Sequence, residues 1–436
     1  MATTVRIQGS RAREQVPGTG ITLHAPGFGG SLTQLTPGDA SDVGGDLPFA
    51  EAAQGADVML AGQFFMTMAP HPPGDGPELR SLSAVAAHPR LIVPRRRGVA
   101  YGLLQTDADG ESRFVWPHAG ADDEAVFPLH DARAGEVRRT LRVFMWPAAP
   151  VQGPGTSLVI SGWERQHRRH RLLELSQDGE WRILEAEAPR RARGAALLLL
   201  HDTFATPASF DDWIGDVSFA ALRTRYPGGV FAFAHPTLAS SIDENLQFLR
   251  ALPDVERLDL VGHGRGGLLV RAIAARDLWA VRRAVLLGTP NRGTPRAAPG
   301  NGMRFLDGHI ARLATLPHAQ SLPILEGALS LARCVALGLP LDLAGFEALA
   351  PGSSFVESLG RAPASTEWFS ISARFGSLDE APRPDESPDD LLVPADSCHL
   401  PTTELTDGLW LEGPLVHHHS YFASPLVRER LLSWLI

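Results

Sequence analysis

Apolar and polar positions follow two different rhythms along this chain. Over residues 1–190, short runs rich in β-branched and aromatic residues are separated by Gly, Pro and Asp clusters. That pattern reads as strands joined by hairpins and loops. Strands are predicted at 21–25, 57–68, 90–93, 113–116, 140–146, 157–163, 169–175 and 180–188. Leu141, Val143 and Met145 alternate with Arg142, Phe144 and Trp146, so this strand should bury one face and be partly covered on the other. The expectation is a β-rich, sandwich- or barrel-like domain over 1–190, with a mobile loop at 27–45 and a linker at 188–194.

Beyond the linker the rhythm changes to strands alternating with helices. The continuous apolar run 195–200 suits a strand buried on both faces. Further short strands are predicted at 229–234, 258–261, 284–287 and 368–373, with helical spacing at 242–252 and 268–276. Such alternation argues for a mostly parallel sheet with crossover helices over residues 195–436. The apolar stretch 301–360 is read as an inserted helical cap. A final helix should start with Ser424 as its cap and Pro425 at its first position.

Composition narrows the class. At 436 residues, two domains are expected. A hydrophobic share of 44% with 20% charged residues describes a soluble globular chain. A formal charge of −9 speaks against nucleic acid as a partner. The 40 basic residues are all arginine, as a GC-rich genome would produce. Two cysteines, Cys334 and Cys398, make no disulfide framework, so a reducing, cytoplasmic setting is expected. No signal-peptide core and no membrane-length apolar run is seen.

The most telling residues are Gly262-His263-Gly264-Arg265-Gly266-Gly267, after the apolar run 258–261 and before a helical stretch. This is the strand-turn-helix setting of G-x-S-x-G, the nucleophile elbow, in which small flanking residues let strand and helix approach closely. Gly264 stands where serine would be. The glycine spacing does not suit a dinucleotide fingerprint, and no cofactor is expected. Two flanking strings add to the pattern: His201-Asp202-Thr203-Phe204 after the 195–200 strand, and Gly288-Thr289-Pro290-Asn291-Arg292-Gly293-Thr294-Pro295 after the 284–287 strand.

On these strings, residues 195–436 resemble the α/β-hydrolase superfamily on its lipase-like side. The continuation Arg265-Gly266-Gly267-Leu268, and the string from Gly345 to Ser353, are similar to hydrolase-like domains of bacterial proteins that carry or accompany CHAT protease modules. The resemblance implies an acid in a D-x-V-V-P setting, matched by Asp390 with Asp389 and Asp396 as alternatives. It implies a histidine before the last helix, matched by His418, with His419 next and His417 beside them. A backbone N–H just past His201, near Thr203, and that of Arg265 would serve an oxyanion, with His263 beside them. Adjacent histidines cannot all point one way, so no metal is expected of the His417–His419 run.

Two positions depart from the family. Gly264 removes the hydroxyl that would attack a carbonyl. Asp202 replaces the usual glycine and would oppose a developing oxyanion, a loss on the order of 3 kcal/mol. The reading is a catalytically inactive pseudo-hydrolase that binds a protein partner or a small acyl or lipid-like ligand. Its alternatives are a serine esterase or lipase whose nucleophile was changed to Gly, and hydrolysis by a His-activated water with Asp202 or Asp390.

Overall fold

The structure, a computed structural model, describes residues 3–10, 12–35, 49–56, 58–70, 89–118, 123–129, 136–147, 155–184, 191–216, 219–337, 339, 341–376 and 388–436. Its chain separates into two compact units, Met1–Gly153 with Ile310–Leu339, and Pro154–His309 with Pro340–Ile436. Residues 36–45 of the expected loop and the linker's 188–190 lie outside the described residues.

The first unit holds two antiparallel sheets. One runs β1 (Thr4–Ile7), β4 (Phe28–Gln34), β5 (Met59–Pro70), β10 (Val137–Pro147), β7 (Val99–Asp107) and β8 (Ser112–Val115); the other runs β2 (Glu14–Gln15), β3 (Thr22–His24), β6 (Arg90–Pro94) and β9 (Glu124–Pro128). Leu32, Phe64, Leu103, Leu141 and Val143 of the larger sheet share one core with Leu23, Leu91, Val93 and Phe127 of the smaller. Two sheets closing on one core make this a sandwich-like arrangement. Part of the stretch read as a loop, from Phe28 on, is therefore strand. The other face of β10 is covered too: Phe144 and Trp146 are buried, and the Arg142 guanidinium lies 3.7 Å from the centre of the Phe49 ring.

The helix His318–Ala336 also belongs here. It packs on the helix Phe49–Gly55 and on β7, and His318 Nε2 lies 3.3 Å from Glu51. This corrects the expectation of a cap spanning 301–360. The apolar face of the long helix, with Leu325, Ala328, Leu329 and Ala332 fully buried, joins the β-rich unit.

The second unit is built on an eight-stranded sheet ordered β12 (Trp181–Ile183), β11 (Arg171–Leu175), β14 (Val230–Ala234), β13 (Arg191–Leu200), β15 (Asp254–His263), β16 (Val281–Leu287), β17 (Glu367–Phe375) and β18 (Asp407–Gly413). From β14 to β18 all neighbours are parallel, while β11 and β12 add an antiparallel hairpin at one edge. Helices supply the crossovers, so this is a mostly parallel α/β sheet. The unit starts near 154 rather than 195. The strands expected at 169–175 and 180–188 join this sheet, and the strand expected at 157–163 is part of the helix Gly155–His167. Ile160 and Trp163 are buried on that helix with Glu164, three positions of one helical face. Ser424 holds the N-cap position of the helix Pro425–Leu435 without a side-chain capping bond.

Candidate functional site

The site forms where four parallel strands of the second unit end. β15 stops at His263 and the helix Arg265–Ala275 starts two residues later, with Gly264 between them at φ 52° and ψ −121°. A positive φ there is free for glycine and strained for other residues. The helix can lie this close to the sheet because Gly266 has no side chain: a Cβ there would stand 2.0 Å from the carbonyl oxygen of Leu200, on β13.

β13 delivers His201 and Asp202 beside that turn. The Asp202 carboxylate fills the space a side chain at 264 would take: a Cβ on Gly264 would lie 1.9 Å from Asp202 Oδ1. The same oxygen accepts the Arg265 backbone N–H at 2.7 Å, and Oδ2 accepts His418 Nε2 at 3.0 Å. His418 Nδ1 donates to Asp390 Oδ2 at 2.8 Å, which also accepts the Tyr421 hydroxyl at 2.8 Å. Asp390 Oδ1 accepts the N–H groups of Leu392 and Val393. His418 is thus held between two carboxylates, and carboxylates only accept, so both ring nitrogens donate.

Burial would lower the His418 pKa, but Asp390 and Asp202 outweigh it and push it up to about 10. Burial opposes ionisation of Asp202 and Asp390, yet the charge of His418 and its hydrogen bonds hold both below the usual carboxylate range. The trio is an imidazolium between two anions. Such an imidazole has no free lone pair at neutral pH to act as a base.

The remaining expected residues take these places. His263 Nε2 meets the main-chain carbonyl of His418 at 2.8 Å, and its buried Nδ1 has no hydrogen-bond partner. His419 turns to His309, Nε2 to Nδ1 at 3.1 Å. His417 gives its N–H to Ser420 Oγ, and its ring stands edge-on to Phe375. Thr203 is buried with no partner for its hydroxyl. Of the acid alternatives, Asp389 pairs with Arg296 at 3.0 Å and Asp396 is exposed. The 288–295 loop is tied to the acid's segment, for Asn291 Nδ2 donates to the Cys398 carbonyl at 2.7 Å.

Three residues here carry no sequence signal that separates them from ordinary core. His309 lies on the apolar helix Gly302–Ile310, and Tyr421 sits among aromatic neighbours. Glu164 accepts three backbone N–H groups, of Thr237, Leu238 and Ala239, at 2.7 to 2.9 Å. The next carbonyl along, that of Ser240, accepts the buried Arg265 guanidinium at 2.7 Å. Burial lowers Arg265 to about 10 and raises Glu164 in spite of those bonds.

His201 and His235 stack at 4.2 Å beneath this end of the sheet. Burial lowers His201 to about 4 and His235 well below its ordinary value. An unfolded chain protonates both near pH 6.5, and the folded chain does so only at lower pH. Their contribution is therefore intact above about pH 6.5 and is lost as the pH falls toward 4. His235→Phe removes one titrating ring and keeps a stacking surface. Between about pH 7 and pH 5 the unaltered protein should lose on the order of 1–2 kcal/mol more than this variant. Urea unfolding at both pH values checks it, and equal losses would refute it.

A family model described as "Domain of unknown function (DUF7379)" matches residues 168–436. No curated protein matches the chain. Among solved structures, a lipase of Bacillus licheniformis is similar at 16% identity and a TM-score of 0.34, covering 57% of this chain and 94% of its own. An enol-lactonase of Burkholderia xenovorans is similar at 13% identity and 0.32, covering 61% and 95%. A carboxylesterase of Bacillus subtilis is similar at 12% identity and 0.34, covering 61% and 87%.

Proposed function

The chain belongs to the DUF7379 family, and from that premise we propose that its hydrolase-like unit is silent in acyl transfer and serves binding or regulation. One observation carries the reading: the Asp202 carboxylate occupies the space of the missing side chain and takes both the Arg265 N–H and His418 Nε2. An acyl-transfer site needs a nucleophile, a base with a free lone pair and a donor left open for the oxyanion. In this arrangement Gly264 supplies no nucleophile, His418 is protonated on both nitrogens, and the Arg265 donor is already bonded to an anion. A carbonyl oxygen that took the Arg265 N–H would leave the buried Asp202 Oδ1 without its donor, which is unfavourable.

The hydrogen-bonded shell around His418 then has another use. Its hydrogen bonds tie the turn at 264, the 390–393 segment and the segment before the last helix into one rigid block. Such a block can present a fixed surface to a protein partner or an acyl or lipid-like ligand. The strings shared with CHAT-associated domains favour a partner within a bacterial signalling or defence assembly, by analogy alone.

A fluorophosphonate probe, with a panel of short- and long-chain esters, tests the central point. The protein should show neither labelling nor turnover above that of heat-denatured protein. Ester hydrolysis abolished by His418→Ala would instead establish the His-activated water as the working mechanism.

A further inference from the structure

We infer that the Asp202 carboxylate, with His309 and His419, forms a binding site for a first-row divalent metal ion such as Zn²⁺. The ligand atoms of these three residues all lie within 4.8 Å of one another. They come from three separated parts of the second unit, the end of β13, the helix Gly302–Ile310 and the segment before the last helix. The fold, not local sequence, gathers them.

The donor chemistry fits. Two imidazoles and a carboxylate suit zinc and its neighbours, and three protein ligands leave a fourth position for water. Zn–N bonds of about 2.0–2.1 Å in a tetrahedron place neighbouring nitrogens about 3.3 Å apart. His309 Nδ1 and His419 Nε2 stand at 3.1 Å and share a hydrogen bond, so on binding the one that donates releases its proton to solvent and both rings turn their lone pairs to the ion.

A second group of histidines shares this carboxylate. His263 and His418 also bring ring nitrogens within 4.8 Å of Asp202. Nε2 of His263 faces the His418 carbonyl and so carries the proton, which leaves Nδ1 as a bare lone pair, buried and with no donor. His418, by contrast, has both nitrogens engaged by carboxylates, so the site is assigned to the His309 and His419 side. All three members of the group are buried.

The site goes beyond the silent-hydrolase reading and is tested without an activity assay. The full chain is stripped with a chelator, dialysed against Zn²⁺ and analysed for metal, with its melting temperature followed in parallel. About one ion per chain and a raised melting temperature are expected. His309→Gln and His419→Gln should each weaken binding about 100-fold or more, beyond the loss typical of a merely supporting residue. No uptake, or uptake unchanged in both variants, would overturn the site. If the variants do not fold, X-ray absorption on the zinc-loaded unaltered protein decides: two or more imidazole ligands support the site, and none overturns it. Zinc uptake and fluorophosphonate labelling are independent readouts, so failure of one reading leaves the other open to its own result.

Discussion

Gly264→Ser alone should destabilise this protein by about 3–5 kcal/mol, from overpacking of a filled site and from a non-glycine residue at positive φ. The new Cβ would have to share space with Asp202 Oδ1, 1.9 Å away. Asp202→Gly alone should also be costly, since it leaves the Arg265 N–H unpaired and His418 with one carboxylate. The pair of changes together is the informative case. With the carboxylate gone, a serine at 264 has room, and its hydroxyl can take the vacated place beside His418 Nε2. The double variant should be more stable than the sum of the singles implies, by roughly 2–3 kcal/mol of coupling. It should also be the only form that reacts with a fluorophosphonate. Chemical unfolding of the four proteins in the cycle measures this. Additive effects would mean that the two positions do not compete for one space.

The cycle separates what the sequence could say from what it could not. Gly262 to Gly267 point to a tight turn because only small residues permit that approach of helix to strand, while Asp390 and His418 are implied only by the resemblance to hydrolases. Nothing in the string His201-Asp202-Thr203 could show that the carboxylate would enter the space left empty at 264, since that depends on a contact across 62 residues of chain. His309 was hidden for a similar reason: a histidine on an apolar helix face looks like core until its partner is known. The helix Gly155–His167 reads as a strand in sequence because Val159 and Ile160 favour β structure. Ile160, Trp163 and Glu164 keep helical spacing, but tertiary contact with residues 237–239 decides the outcome. β18 carries a short period-2 signal, with buried Leu409 and Leu411 alternating with exposed Trp410.

Asp390→Ala should cost about 3–5 kcal/mol, the range for removing one partner of a buried ion pair. Four donors converge on that carboxylate: His418 Nδ1, the Tyr421 hydroxyl and the N–H groups of Leu392 and Val393. Alanine accepts from none of them, and each is enclosed. Asp390→Asn should cost less, because its amide oxygen can still accept some of these bonds. A comparison with Asp396→Ala, at an exposed position nearby, provides the control. If the urea midpoint of Asp390→Ala matched that control, the hydrogen bonds around Asp390 would contribute little, and the rigid block described above would not hold.

The way the chain passes between its units limits how it can be divided. Because the long helix His318–Ala336 belongs with the β-rich sandwich, no single cut yields either half intact. A fragment excised at residue 168, where the family match begins, would carry that helix with its apolar face stripped of its partner. It would also leave behind Glu164, and with it the anchor for the loop that grips Arg265. An autonomous version of the second unit would have to begin ahead of Gly155 and do without residues 310–339.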